Sequence, residues 1–160
     1  MTQLTIGMKA PNFQLPQDGG PEISLSDYAG RNVVLFFYPR DNTSGCTKEA
    51  IEFSERASEF QILGCDVLGV SKDSLKSHEK FRAKHNLSVP LLSDENGKMC
   101  EDYGVWVEKK MYGKSYFGIQ RTTVLIGADG AILNVWHKVK VPGHVQEVLE
   151  FVKELSGNPT

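Results

Sequence analysis

The run Val33-Val34-Leu35-Phe36-Phe37-Tyr38 constrains the fold of this chain more than any other feature. It is apolar at every position and rich in β-branched and aromatic residues. Such a strand must be covered on both faces, which is the place of a central strand in an α/β sheet. Pro39 ends it, since proline cannot donate to a strand ladder. The run is also far too short to cross a bilayer.

The flanking sequence reads as alternating helices and strands. A helix is predicted over residues 44 to about 62, with Ala50, Phe53, Ala57 and Phe60 forming one apolar stripe. Asn42, Thr43 and Ser44 are equivalent N-cap candidates, and Gly64 closes the helix. Residues 67–70 form a second buried strand. A helix with a weak apolar face runs from 73 to about 85, a short strand spans 89–92, and 96–103 is a short helix or turn. Strands at 122–126 and 132–136 flank Ala128-Asp129-Gly130, the clearest hairpin signal in the chain. A last helix opens at Gly143, with Val145, Val148, Leu149, Val152 and Leu155 on one face. Residues 1–30 are rich in proline and glycine, with short edge strands at 13–15 and 23–25. This order predicts an α/β protein with a thioredoxin-like fold: a mixed central sheet flanked by helices, with an N-terminal extension. With 160 residues, no repeat and no linker, residues 1–160 are expected to form a single domain.

The balance of charge narrows the partners. Lys+Arg total 18 against Asp+Glu 20, a net charge of -2, so no basic excess points to nucleic acid or to an anionic membrane surface. Met1-Thr2-Gln3-Leu4-Thr5 lacks the basic and apolar regions of a secretory signal, and a cytoplasmic protein is expected. Cys46, Cys65 and Cys100 are odd in number and include no C-x-x-C pair, which argues against a disulfide framework. No ligand spacing joins them to His78, His85, His137 or His144, so neither metal nor cofactor is implied. A lone surface position is the expectation for each histidine.

Cys46 stands apart from the other two thiols. Cys65 leads into a strand and Cys100 sits between Met99 and Glu101, so both read as packing residues. Cys46 follows Pro39-Arg40-Asp41-Asn42-Thr43-Ser44-Gly45 and falls in the first turn of a helix, where backbone N–H groups lack intrahelical acceptors. Those donors favour a thiolate, and the thiolate is the nucleophile. A dithiol of the thioredoxin type is excluded by spacing. A C-x5-R phosphatase pattern fails at Glu52.

These residues resemble the peroxiredoxins, whose signature P-x-x-x-T/S-x-x-C is matched by Pro39, Thr43 and Cys46. The stretch from Tyr38 to Ala50 is similar, nearly residue for residue, to the bacterioferritin comigratory protein, or Q-type, subfamily. Ala10-Pro11-Asn12-Phe13, Leu91-Leu92-Ser93-Asp94-Glu95 and Gly118-Ile119-Gln120-Arg121 extend the resemblance over almost the whole chain. The resemblance implies a thiol peroxidase acting on hydrogen peroxide and alkyl hydroperoxides. Cys46 would be the peroxidatic cysteine. Arg121 would stabilise charge on the sulfur and on the peroxide oxygens, Thr43 would hydrogen-bond thiolate and substrate, and Pro39 would shield the sulfur from water. Glu49, one turn after Cys46, either orients Arg121 or lies on a solvated helix face.

The chain departs from the resemblance where the oxidised sulfur must be reduced again. Relatives carry a resolving cysteine five residues after the first, here Ile51, or on the following helix, which here contains none. A one-cysteine cycle is therefore expected, with thioredoxin, glutaredoxin with glutathione, or a small thiol as reductant. Cys100 and Cys65 stay open as resolving residues. The alternatives are a disulfide reductase, a peroxide sensor or a thiol relay on the same fold. Lys109, Lys110 and Lys114 read as a solvated basic loop, Tyr112, Tyr116 and Phe117 as exposed aromatics, and a monomer is expected.

Overall fold

The structure is a computed structural model that describes residues 3–155, so the two ends of the expected 1–160 domain, residues 1–2 and 156–160, lie outside the described residues. In chain order the elements are β1 (Gln14–Gln17), β2 (Gly20–Ser24), β3 (Asn32–Phe37), α1 (Ser44–Ile62), β4 (Cys65–Ser71), α2 (Leu75–His85), β5 (Leu91–Ser93), α3 (Lys98–Asp102), β6 (Trp106–Met111), β7 (Lys114–Ile119), β8 (Thr122–Ile126), β9 (Ile132–Trp136) and α4 (His144–Leu155).

Seven strands form one sheet in the order β2-β1-β5-β4-β3-β8-β9. The three central strands β5, β4 and β3 are parallel, and antiparallel strands close both sides, giving the mixed sheet expected. β3 lies at the centre of the apolar interior, and Val33 to Tyr38 are fully buried. Its pleat sends alternate side chains to opposite faces. Val33, Leu35 and Phe37 enter a core with Phe13, Met99, Cys100 and Tyr103, roofed by α3 and the N-terminal segment. Val34, Phe36 and Tyr38 enter the other core, formed with α1, α2 and α4 through Ala50, Phe53, Phe60, Phe81, Val145 and Leu149. Helices thus cover both faces, three on one side and the short α3 on the other.

The described residues include no helix long and apolar enough to cross a membrane. Sequence periodicity placed α1 and the β8–β9 hairpin at their observed limits. It missed a hairpin. β6 and β7 form a separate two-stranded sheet, where a basic loop was expected. Met111 pairs with Lys114, leaving Tyr112-Gly113 as a two-residue turn with φ of 53° and 77°. Both central residues have positive φ, the geometry of a type I′ turn, which favours Asn, Asp or Gly at the first position. Tyr112 hides that signal.

Two measurements test this architecture. Phe53 is fully buried and stacks on Phe36 with ring centroids 4.6 Å apart. Phe53→Ala is expected to lower the unfolding free energy by about 3–5 kcal/mol in urea titration. Tyr112→Asn is expected to leave stability equal or raise it by up to ~1 kcal/mol, because asparagine tolerates the left-handed region.

Candidate active site

The carboxyl end of β3 delivers the chain to the site. Tyr38 N–H still donates to Val70 O at 3.1 Å, and residues 39–43 then turn away from the sheet into α1. Pro39 is half-buried at the start of this loop. Thr43 is the N-cap of α1 with extended backbone (φ -87°, ψ 154°), and its carbonyl accepts from Thr47 N–H at 2.9 Å. Its hydroxyl donates to Arg40 O at 2.9 Å, closing the loop rather than capping the helix. Thr43 is exposed, and its hydroxyl oxygen can also accept a hydrogen bond. Cys46 is thereby the third residue of the first turn, and its side chain is buried.

Arg121 reaches this sulfur from the other end of the fold. It lies between β7 and β8, and its own carbonyl is held by Val139 N–H at 3.0 Å. Its Nη2 donates to Cys46 Sγ at 3.4 Å, and its Nη1 donates to Glu49 Oε1 at 2.7 Å. Gly45 leaves room for this approach: a Cβ there would lie 3.1 Å from Arg121 Nη2. The structure brings Cys46 and Arg121 together.

Glu49 is not on a solvated face. It is fully buried, and its Oε2 has no hydrogen-bond partner among the described residues. Burial pushes its carboxyl up to about 7, against the pull of Arg121. Burial also disfavours the charge on Arg121, but Glu49 and the Cys46 sulfur outweigh it and the guanidinium holds its proton more tightly. Arg121 therefore remains the fixed charge, and Glu49 is the member of the pair that titrates. Lys109, expected in a solvated basic loop, is a further cation near the site. It is half-buried on β6 and donates to Ile119 O at 2.5 Å. Burial and then Arg121 lower its hold on a proton, while the Cys46 sulfur raises it.

Two histidines correct the expectation of lone surface positions. His144 is buried against Thr123 Oγ1, 2.8 Å from its Nε2, and burial lowers it to about 4, so it is neutral. His78 is buried beside Asp41 and Asp73. Asp73 and His78 are near neighbours in sequence, but only the fold brings Asp41, more than thirty positions earlier, against them.

The other thiols occupy different places. All three cysteines are free and buried. Cys100 lies in the core on the opposite face of the sheet from Cys46. Cys65 shares the face of Cys46 but pairs with Asn32 at the amino end of β3, whereas Cys46 follows its carboxyl end. The intervening strand covers roughly 17 Å, well beyond the ~7 Å that a disulfide tolerates between Cα atoms. Burial pushes the Cys65 thiol up to about 12 and the Cys100 thiol higher still. Both are protonated at neutral pH and inert as nucleophiles.

A thioredoxin-like sheet that presents one buried thiol at a helix start, bridged by an arginine to a buried glutamate, defines a thiol-dependent peroxidase of the peroxiredoxin class. Comparison with known proteins agrees: residues 6–135 match the AhpC/TSA family. A putative peroxiredoxin Bcp of Coxiella burnetii is 52% identical over 91% of this chain and 97% of its own. Peroxiredoxin Bcp of Bacillus subtilis is 46% identical over 96% and 98%. A crystal structure of a cysteine-to-serine mutant of Xylella fastidiosa PrxQ superposes with a TM-score of 0.92 at 40% identity, covering 98% of this chain and 100% of that one. The chain belongs to the AhpC/TSA family and, within it, to the bacterioferritin comigratory protein, or Q-type, peroxiredoxins.

Glu49→Gln tests the bridge. The unfolded glutamate titrates near ~4.3 and the folded one near 7, so stability present below ~4.3 is lost as pH rises towards 7. The variant should lose that slope in urea titrations between pH 4 and 8. It should also slow oxidation of Cys46 by hydrogen peroxide about tenfold, or ~1.4 kcal/mol, in stopped-flow measurements, because Arg121 loses its anchor.

Proposed function

We propose that this protein reduces hydrogen peroxide and alkyl hydroperoxides by a one-cysteine cycle, with an outside thiol as reductant. The observation that carries this reading is the Arg121 guanidinium, which touches Cys46 Sγ with one nitrogen and Glu49 with the other. Positive charge fixed 3.4 Å from sulfur attracts negative charge there and on the peroxide oxygens as the O–O bond breaks. The first-turn amides of α1 act in the same sense.

The reacting sulfur is a thiolate. It attacks the outer oxygen of the hydroperoxide and gives two electrons to the O–O bond. An S–O bond forms and the O–O bond breaks. The departing alkoxide or hydroxide takes a proton and leaves as alcohol or water, and Cys46 becomes a sulfenic acid once protonated. Thr43, whose hydroxyl proton is committed to Arg40 O, accepts a hydrogen bond from the peroxide O–H. Pro39 at the loop start limits water at the sulfur.

Recycling by an outside thiol rests on the placement of Cys65 and Cys100, one at the far end of the strands and the other across the sheet. The thiol attacks the sulfenic sulfur, water leaves, and a second thiol reduces the mixed disulfide. Thioredoxin, or glutaredoxin with glutathione, supplies such thiols. Every residue named lies in one chain, so a monomer suffices, and three free cysteines suit the reducing cytoplasm. An alkyl peroxide reduction activity is named for the bacterioferritin comigratory protein of Xanthomonas campestris, whose structure superposes with a TM-score of 0.86 at 41% identity.

Cys46→Ser is expected to abolish turnover of hydrogen peroxide with excess thiol reductant. Intact mass after one equivalent of peroxide should show a gain of one oxygen in the native protein, trappable by a sulfenic-acid reagent. A quantitative loss of two hydrogens with a Cys46–Cys65 or Cys46–Cys100 crosslink would refute the one-cysteine cycle.

A further inference from the structure

His78 belongs to no part of the peroxide chemistry described above, yet it is fully buried and hydrogen-bonded at both ring nitrogens. Nε2 lies 2.9 Å from Leu92 O on β5. A carbonyl only accepts, so Nε2 carries a hydrogen. Nδ1 lies 2.7 Å from Asp41 Oδ2. That carboxylate already accepts from Ser77 Oγ at 2.8 Å on the same oxygen and from the Tyr38 hydroxyl at 2.7 Å on the other. Asp41 is thus a full acceptor, and Nδ1 donates as well. A ring that donates from both nitrogens is an imidazolium, and Asp41–His78 is a buried ion pair.

The other groups that face His78 agree. The Asp73 carboxylate lies close to it from the segment between β4 and α2. The Tyr38 ring faces it at 6.4 Å from the end of β3. Burial opposes the charge on His78, but Asp41, Leu92 O and Asp73 outweigh it, and the ring holds its proton above the ordinary range.

Asp41 is the midpoint of the loop that ends at Cys46, and both its main chain and its side chain are held. Asp41 N–H donates to Asp73 Oδ2 at 2.8 Å, and Asp73 Oδ2 also accepts from Ser71 Oγ at 2.7 Å. The next residue, Asn42, takes a left-handed φ of 64°, a turn conformation that asparagine tolerates. Thr43 and α1 follow directly. The position of the first helical turn therefore depends on where Asp41 is pinned.

We propose that the buried His78 imidazolium is a positioning residue for peroxide reduction, clamping Asp41 and with it the loop that sets Cys46 against Arg121. The proposal rests on the peroxidase reading for its activity, not for its geometry. Its sign with pH follows from the raised affinity of His78 for its proton. The clamp is complete below about 6.5, the ordinary histidine value, and is lost as pH rises through the folded value. The rate of Cys46 oxidation therefore carries an alkaline limb set by a residue that never meets the peroxide.

The test measures the second-order rate of Cys46 oxidation by hydrogen peroxide from pH 5 to 10 for the native protein, His78→Gln, Asp41→Asn and the double variant. Temperatures are kept where circular dichroism shows all four folded. Each single variant should react at least tenfold more slowly at pH 7 and lack the alkaline limb, as expected when a small misplacement separates reacting groups. The double variant should be no slower than the slower single one, since the two residues act as a unit. Ring 15N shifts of His78 in the native protein should show both nitrogens protonated at pH 7.5, which needs no variant to fold. A neutral His78 ring at that pH, or variant rates within twofold of native with the limb retained, would overturn the proposal. If the native protein itself fails to reduce peroxide, the peroxidase reading has failed. Alkylation of Cys46 by iodoacetamide then reads the same clamp, slower or faster in the variants than in the native protein if it exists and unchanged if it does not.

Discussion

β3 is buried on both faces, and the placement of every reactive group follows from that burial. Because alternate residues feed two separate cores, the strand cannot slide by one position without exchanging the cores. Its parallel register with β4 and antiparallel register with β8 are therefore fixed together. The same register sets Phe37 opposite both Val70 and Thr122, so the carboxyl end of β3, the start of the segment leading to α2 and the residue preceding β8 meet at one edge of the sheet. Cys46, Asp73 and Arg121 are carried to that edge by backbone alone.

Charge in the interior is handled in pairs. One pair joins Glu49 of α1 to Arg121, and another joins Asp41 of the preceding loop to His78 of α2. A third pair lies away from the site, where Arg82 clasps Asp18 through two nitrogens and also donates to Leu87 O and Val89 O. It ties the N-terminal extension to α2. Buried pairs of this kind contribute less to stability than to a single arrangement, because breaking one partner leaves an uncompensated charge. Around Cys46 that uniqueness has a chemical use: the sulfur must sit within ångströms of a guanidinium and an incoming oxygen at once.

The three thiols show how far the surroundings decide the chemistry of one side chain. Cys65 and Cys100 are sealed among apolar groups near carboxylates, which hold the thiol protonated. Cys46 is equally buried but meets Arg121 and the opening turn of a helix. Burial as such does not separate a structural cysteine from a reactive one; the sign of the neighbouring charge does.

The sequence by itself determined the linear part of this protein. The apolar run, its terminating proline, the helix behind Thr43 and the thiol in its first turn are local, and so is the Asp129-Gly130 hairpin, since turn chemistry and periodicity act over a few residues. It also determined that Ile51 and the α2 positions offer no second thiol. The resemblance carried by Pro39, Thr43, Cys46 and Arg121 pointed to the right family. Only the tertiary structure decided that Glu49 is buried under Arg121, that His78 is buried beside Asp41 rather than on the surface, that Tyr112-Gly113 turns a hairpin, and that Cys100 lies across the sheet from Cys46. Each of these depends on which face of a strand or helix meets a segment tens of residues away. Arg121, 75 residues from Cys46, reaches the sulfur because β3 and β8 pair in one register, and a register is a property of the assembled sheet.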